Sequence, residues 1–147
     1  MSDEKNKQEA LRWFHTGRGD LETAKILLSN SRFAHSCFHA QQAGEKALKA
    51  LWYFIDQDPW GHSIHKLIED LGTVDKNAYE IIRELSRDGA KLDRFYIPTR
   101  YPNGLPDIIP DSAYFEEDAR AAIESAEKIL DRIHNFIKEE NSPPSPA

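Results

Sequence analysis

A second cysteine is missing from the 147 residues; Cys37 stands alone. One cysteine forms no intrachain disulfide and supplies no Cys-x-x-Cys pair for zinc. The chain therefore suits a reducing compartment. Long apolar runs are also missing. No stretch approaches the roughly 20 apolar residues that a transmembrane helix needs. The opening MSDEKNKQEA is polar throughout, with no apolar core of a secretory leader. The expectation is a cytoplasmic protein with no membrane partner. No Walker A loop, GxGxxG, HExxH or GxSxG occurs. Excess positive charge is absent as well: 19 Lys and Arg face 25 Asp and Glu, a formal charge of -6. That balance argues against broad wrapping of nucleic acid and leaves a local basic face open.

What is present belongs to one folded domain. Apolar residues make up 39 % of the chain and aromatics 10 %, too much for wholesale disorder. The apolar residues fall into helical periods. Phe14, Gly17, Leu21, Ala24 and Leu28 recur at steps of three or four and predict a helix from about Glu9. Gly17 in that stripe lets another helix approach closely. Phe33, Cys37, Ala40, Gly44, Ala47, Leu51 and Phe54 predict a second helix within Arg32–Gln57, uninterrupted by proline. Cys37 is a core residue on this reading. Asp58-Pro59-Trp60-Gly61 is a turn, and Ser63 caps a short helix through Leu71. Another helix runs from about Asp75 to Ser86 or beyond, with Gly89 as a bend or break.

Pro98, Pro102, Pro106 and Pro110, with Gly104 among them, exclude regular helix and predict a long loop. Asp111 or Ser112 then caps a last helix, whose core face carries Ala119, Ala122, Ala126, Ile129 and Ile133. No run alternates as a strand does. The predicted architecture is an all-α up-and-down bundle of about five helices, with the proline-rich loop before the last. Residues 1–8 are expected to be a flexible lead-in, 9–140 the bundle and 141–147, NSPPSPA in character, a disordered tail.

Two sets of side chains bear on chemistry. His35, His39, His62 and His65 supply imidazoles, but no carboxylate stands at ligand spacing beside them in sequence, so no metal is expected. His62 is read as tying its turn to the first or second helix. The basic residues say more. Arg83, Arg87, Lys91 and Arg94 step by four, four and three, one stripe if the helix continues through Gly89. Arg100 follows within Tyr96–Pro102. Arg and Lys hold phosphates, and Tyr96 and Tyr101 offer rings for a base. Arg94, Arg100, Tyr96, Tyr101, Arg87 and Lys91 are therefore the candidate nucleotide- or RNA-binding residues. A plain solvated face is one competing reading, since Glu84 and Asp88 intermix, and a buried role for Tyr101 and Arg100, pinning the loop to the bundle, is another. Gln41, Gln42, Glu45, Lys46 and Lys49 form a polar side of the second helix, a side that usually faces water in a bundle, with a cleft or a dimer interface as the alternative.

Four segments together resemble the HEPN family: Asp20–Ala24, the QQAGEKALKA of residues 41–50 with Cys37–Ala40 before it, Gly61–Leu67, and Leu92–Pro102 with its TRYP. The resemblance spans roughly residues 9–138. It implies a helical bundle that commonly forms a homodimer. It also implies a common partner, a minimal nucleotidyltransferase, in toxin–antitoxin-like systems. Other family members are metal-independent ribonucleases marked by an Arg, four to six residues, then a His. Arg100 stands where that Arg is expected, yet none of Tyr101 to Asp107 is a histidine. Arg32 and His39 match the spacing at the wrong place. The implied protein is a nucleotide- or RNA-binding HEPN dimer without an assigned catalytic residue or cofactor. A ribonuclease using Tyr96 or Tyr101 as base, and a purely structural oligomer, are the alternatives.

Overall fold

A computed structural model describes residues 3–141. Three long helices form its centre: α1 (Asp3–Ser29), α2 (Phe33–Phe54) and, last in the chain, a helix at Glu116–Asn141. Between them lie α3 (Ile64–Asp70), α4 (Lys76–Ile82), α5 (Ser86–Asp93) and the one-turn α6 (Pro110–Ala113), so the last helix is α7. No strand occurs among the described residues. The all-α bundle is as the apolar periods predict.

The long helices form because their apolar stripes meet. α1 and α2 are a hairpin joined by residues 30–32, and α7 packs along both. Cys37, Ala40, Ala47, Leu48, Leu51, Ile129 and Ile133 are buried in the shared core. Burial pushes the Cys37 thiol up to about 12, so it packs as a small apolar group rather than a nucleophile. At Gly17, a Cβ would meet the Ala43 carbonyl oxygen at 3.0 Å. That glycine sets the distance between α1 and α2, as its place in the stripe suggests. Ser36 Oγ donates to Ala24 O at 2.7 Å across the same contact, and Trp52 Nε1 donates to Leu67 O at 3.1 Å to seat α3 on α2.

Local signals fix most boundaries. Ser63 accepts from the Lys66 amide to start α3, and Asp75 accepts from the Ala78 amide to start α4. Three helix boundaries need correction. α1 starts at Asp3, ahead of the apolar period, and Asn6 is buried there. Of the expected disordered tail, Asn141 ends α7 and residues 142–147 lie outside the described residues.

The break near the end of α4 falls at a 3-10 turn, Arg83–Leu85, not at Gly89. Gly89 lies inside α5, where a Cβ would meet Ile64 Cγ2 at 2.9 Å. It is there for close packing, not for bending. Finally, α7 starts at Glu116. Pro110 opens only the single turn of α6, Tyr114 is extended, and Asp118 accepts from the Phe115 amide at 2.8 Å. The carboxylate that starts α7 comes from inside it.

The proline-rich loop is closely built. Thr99 is buried and its hydroxyl donates to Phe95 O. A Cβ on Gly104 would meet Pro98 Cα at 2.9 Å, so the loop folds back on its own start.

Candidate nucleotide or RNA site

The predicted site residues divide into two groups. The first surrounds Arg100. Its Nε donates to Tyr96 O at 2.8 Å, and its guanidinium carbon lies 4.8, 4.6 and 5.0 Å from the ring centroids of Phe38, Tyr96 and Tyr101. Three rings and one hydrogen bond fix a cation that is itself exposed. No described residue takes its two terminal nitrogens, the fork that grips a carboxylate or phosphate. Tyr101 is 48 % exposed, so part of its ring faces solvent beside the guanidinium.

The second group lies on α5. Lys91 and Arg94 line a groove of about 240 Å³ with Phe95, Asp118, Ala121 and Ala122, between α5 and α7. Neither cation, nor Arg87 one turn earlier, has an ion-pair partner among the described residues. The expected stripe loses its first member. Arg83 sits in the 3-10 turn, pairs with Glu80 at 3.4 Å and lies over the Tyr79 ring.

The polar side of α2 departs from expectation. Gln41 is fully buried and Glu45 is 4 % exposed. The reason is the α2–α3 turn, which folds back over them. Gln41 Nε2 donates to His62 O and to Glu45 Oε1, both at 3.2 Å. Glu45 Oε2 lies 3.2 Å from Lys49 Nζ and 3.2 Å from His62 Nδ1. The His62 ring stacks on Tyr96, centroids 4.8 Å apart and planes 18° apart. His62 does tie its turn to α2, and it also touches the Arg100 cluster through a shared ring.

One turn earlier on the α1 side, Lys46 Nζ meets Asp20 Oδ2 at 2.5 Å and His39 lies 3.7 Å from Asp20 Oδ1. Burial raises the Asp20 carboxyl, but the nearby His39 imidazole and the hydrogen bond and charge of Lys46 outweigh it. The net effect lies below the ordinary 3.8. Lys46 continues into a groove of about 300 Å³ lined by Glu9, Arg12, Trp13 and Thr16.

Sequence reasoning left Phe38, Glu45, Lys49 and His62 out of the candidate site. The i,i+4 ladder Gln41, Glu45, Lys49 carried a signal, but burial of its middle member depends on the turn that covers it. The histidines also face carboxylates that spacing does not reveal: His35 lies 3.8 Å from Asp111, His39 near Asp20 and His62 beside Glu45. These are separate pairs. No group of three or more metal-ligating side chains gathers among the described residues.

The sequence model of the HEPN domain matches residues 10–137, nearly the whole bundle. The chain belongs to the HEPN family. Among solved structures, TT1696 from Thermus thermophilus superposes with a TM-score of 0.78 at 37 % identity, covering 86 % of this chain and 97 % of that one. The archaeal HEPN homologue ST0689 gives 0.73 at 29 % identity, over 88 % and 98 %. A HEPN domain protein from Thermotoga maritima gives 0.67 at 28 %, over 86 % and 98 %. A Methanocaldococcus jannaschii protein named "Putative toxin MJ1304" is 28 % identical over 125 residues, 82 % of each chain. For this HEPN chain, no helix among the described residues is long and apolar enough to cross a membrane.

Proposed function

We propose that this HEPN protein binds a nucleotide or RNA through the Arg100 cluster, with Lys91, Arg94 and Arg87 on α5 extending the phosphate-binding face. The single observation that carries the reading is the Arg100 guanidinium. It is held by Phe38, Tyr96 and Tyr101, and its outer nitrogens are open. A cation ordered in advance loses little freedom when a phosphate arrives. The protein acts as a homodimer in the cytoplasm, and its partner is a minimal nucleotidyltransferase in a toxin–antitoxin-like pair. The similarity to the toxin-named archaeal protein supports the system. The exposed Ile97, Tyr101, Ile108, Ile109 and Phe115 around the loop support self-association.

Calorimetry with ATP and with a single-stranded RNA 12-mer tests the binding. Arg100→Ala is expected to weaken it at least tenfold. Equal binding by both proteins removes Arg100 from the site. Sedimentation of the purified protein tests the dimer, and co-expression with the nucleotidyltransferase encoded nearest to it tests the partner.

A further inference from the structure

We propose that the groove between α1 and α2 is a second binding site, for a small ring-bearing carboxylate. It lies outside the Arg100 cluster and does not rest on the reading of that cluster.

The groove follows from how the two helices meet. At Gly17 they come close, because a Cβ there would already touch the Ala43 carbonyl oxygen and Lys46 Cβ, at 3.0 and 3.2 Å. One turn nearer the start of α1, Trp13 puts a large ring into the same contact. Its centroid lies 5.5 Å from that of Tyr53, and Lys49 Nζ lies 5.7 Å from it. Beside the tight contact and the bulky one is a groove of about 300 Å³, lined by Glu9, Arg12, Trp13, Thr16 and Lys46. That size is at the lower end of small-molecule sites.

The hydrogen bonds already made there decide what fits. Glu9 uses both carboxylate oxygens inside the site. Oε1 accepts from Trp13 Nε1 at 3.1 Å, and Oε2 accepts from Arg12 at 3.3 Å. The Thr16 hydroxyl donates to Arg12 O at 2.8 Å. The indole thus has no donor left, and its face is apolar. Arg12 and Lys46 each carry more N–H groups than one carboxylate uses, Glu9 for the first and Asp20 for the second. The hydrogen-bonding capacity that is left is almost wholly donating. It belongs to two cations from two helices, beside an apolar ring.

Such a site takes an anion on a flat body. The ring of the ligand packs on Trp13, and its acid group accepts from Arg12 and Lys46. Glu9 and Asp20 balance Arg12 and Lys46 in charge, so one negative charge meets the donors with less repulsion than two. This favours a carboxylate over a phosphate dianion. Asp20 holds Lys46 and Glu9 holds the indole in advance, so little freedom is lost on binding.

Calorimetry of the full chain with indoleacetate tests the site. Acetate supplies the charge without the ring, tryptophol the ring without the charge, and adenosine monophosphate a ring with a phosphate. Indoleacetate is expected to bind with a Kd below about 1 mM, and acetate and tryptophol at least tenfold more weakly. Arg12→Gln and Trp13→Leu are each expected to weaken indoleacetate at least fivefold, and Arg100→Ala to leave it within twofold. The Arg12 side chain is 80 % exposed, so Arg12→Gln keeps the fold, and a far-UV melt checks both variants. Absence of indoleacetate binding at about 5 mM overturns the proposal. Binding that Arg12→Gln leaves unchanged overturns it too. So does binding that Arg100→Ala abolishes, which places the ligand at the proline-rich loop. Tighter binding of adenosine monophosphate, with the same loss in Arg12→Gln, keeps the groove and overturns the carboxylate.

Discussion

The Asp93 carboxylate accepts the Ser63 hydroxyl at 2.8 Å, joining the end of α5 to the start of α3 across 30 residues. The same carboxylate accepts the backbone amides of Ile64 at 2.7 Å and His65 at 3.0 Å. A helix start leaves amides without partners, and here a distant side chain satisfies two of them. Asp93→Ala removes all three bonds and is expected to cost about 2 kcal/mol, read as a fall in the urea midpoint at constant slope. Asp93→Asn keeps an accepting oxygen and is expected to lose about half as much. An unchanged midpoint in Asp93→Ala would show that water replaces the cap without loss.

Two glycines on helices are expected to respond in opposite directions. A Cβ at Gly19 meets nothing within 4 Å. Gly19→Ala therefore gains helix propensity and is expected to stabilise by about 0.5–1 kcal/mol. A Cβ at Gly89 meets Ile64 Cγ2 at 2.9 Å and the His65 backbone nitrogen at 3.2 Å. A branched methyl and a backbone atom yield little, so Gly89→Ala is expected to lose about 1–3 kcal/mol despite the better propensity. Thermal melts of the two variants decide it.

This contrast shows what the sequence can and cannot convey. The stripe from Phe33 to Phe54 and the caps at Ser63 and Asp75 are local, and each is legible from a few neighbouring residues. Gly89 is not. Its type signals low propensity in both a break and a close contact, and only the position of Ile64 separates them. The start of α7 was obscured because Asp111 and Ser112 are good caps, while Asp118 acts from within the helix. The contacts of Arg100 with Tyr96 and Tyr101 join residues that stand close together in the chain. Glu45 and His62 stand 17 residues apart, and their contact exists only because residues 55–63 fold the chain back over α2.

The Asp20 carboxyl has a pH signature. Its folded-state value lies below 3.8, so the folded form binds its proton less readily than the unfolded form does. The linked stability is fully present above the unfolded value and is lost as pH falls through the folded one. Wild type is therefore expected to lose part of its stability on acidification from about pH 4 downward. Asp20→Asn is expected to lose that portion at neutral pH and to show a shallower acid limb. Denaturant midpoints at neutral and acid pH check it; parallel curves for the two proteins would remove Asp20 from the acid response.

The Glu45–Lys49 pair is expected to answer differently to one substitution and to two. The Glu45 side chain is 5 % exposed and that of Lys49 12 %, with 3.2 Å between their charged atoms. Removing one partner strands the other charge away from water, so Glu45→Leu is expected to cost about 3–5 kcal/mol. Replacing both with apolar groups strands neither. Glu45→Leu with Lys49→Met is therefore expected to recover most of that loss in a urea titration. A double variant no more stable than the single one would mean that Gln41 and His62, not Lys49, carry the cost of losing Glu45.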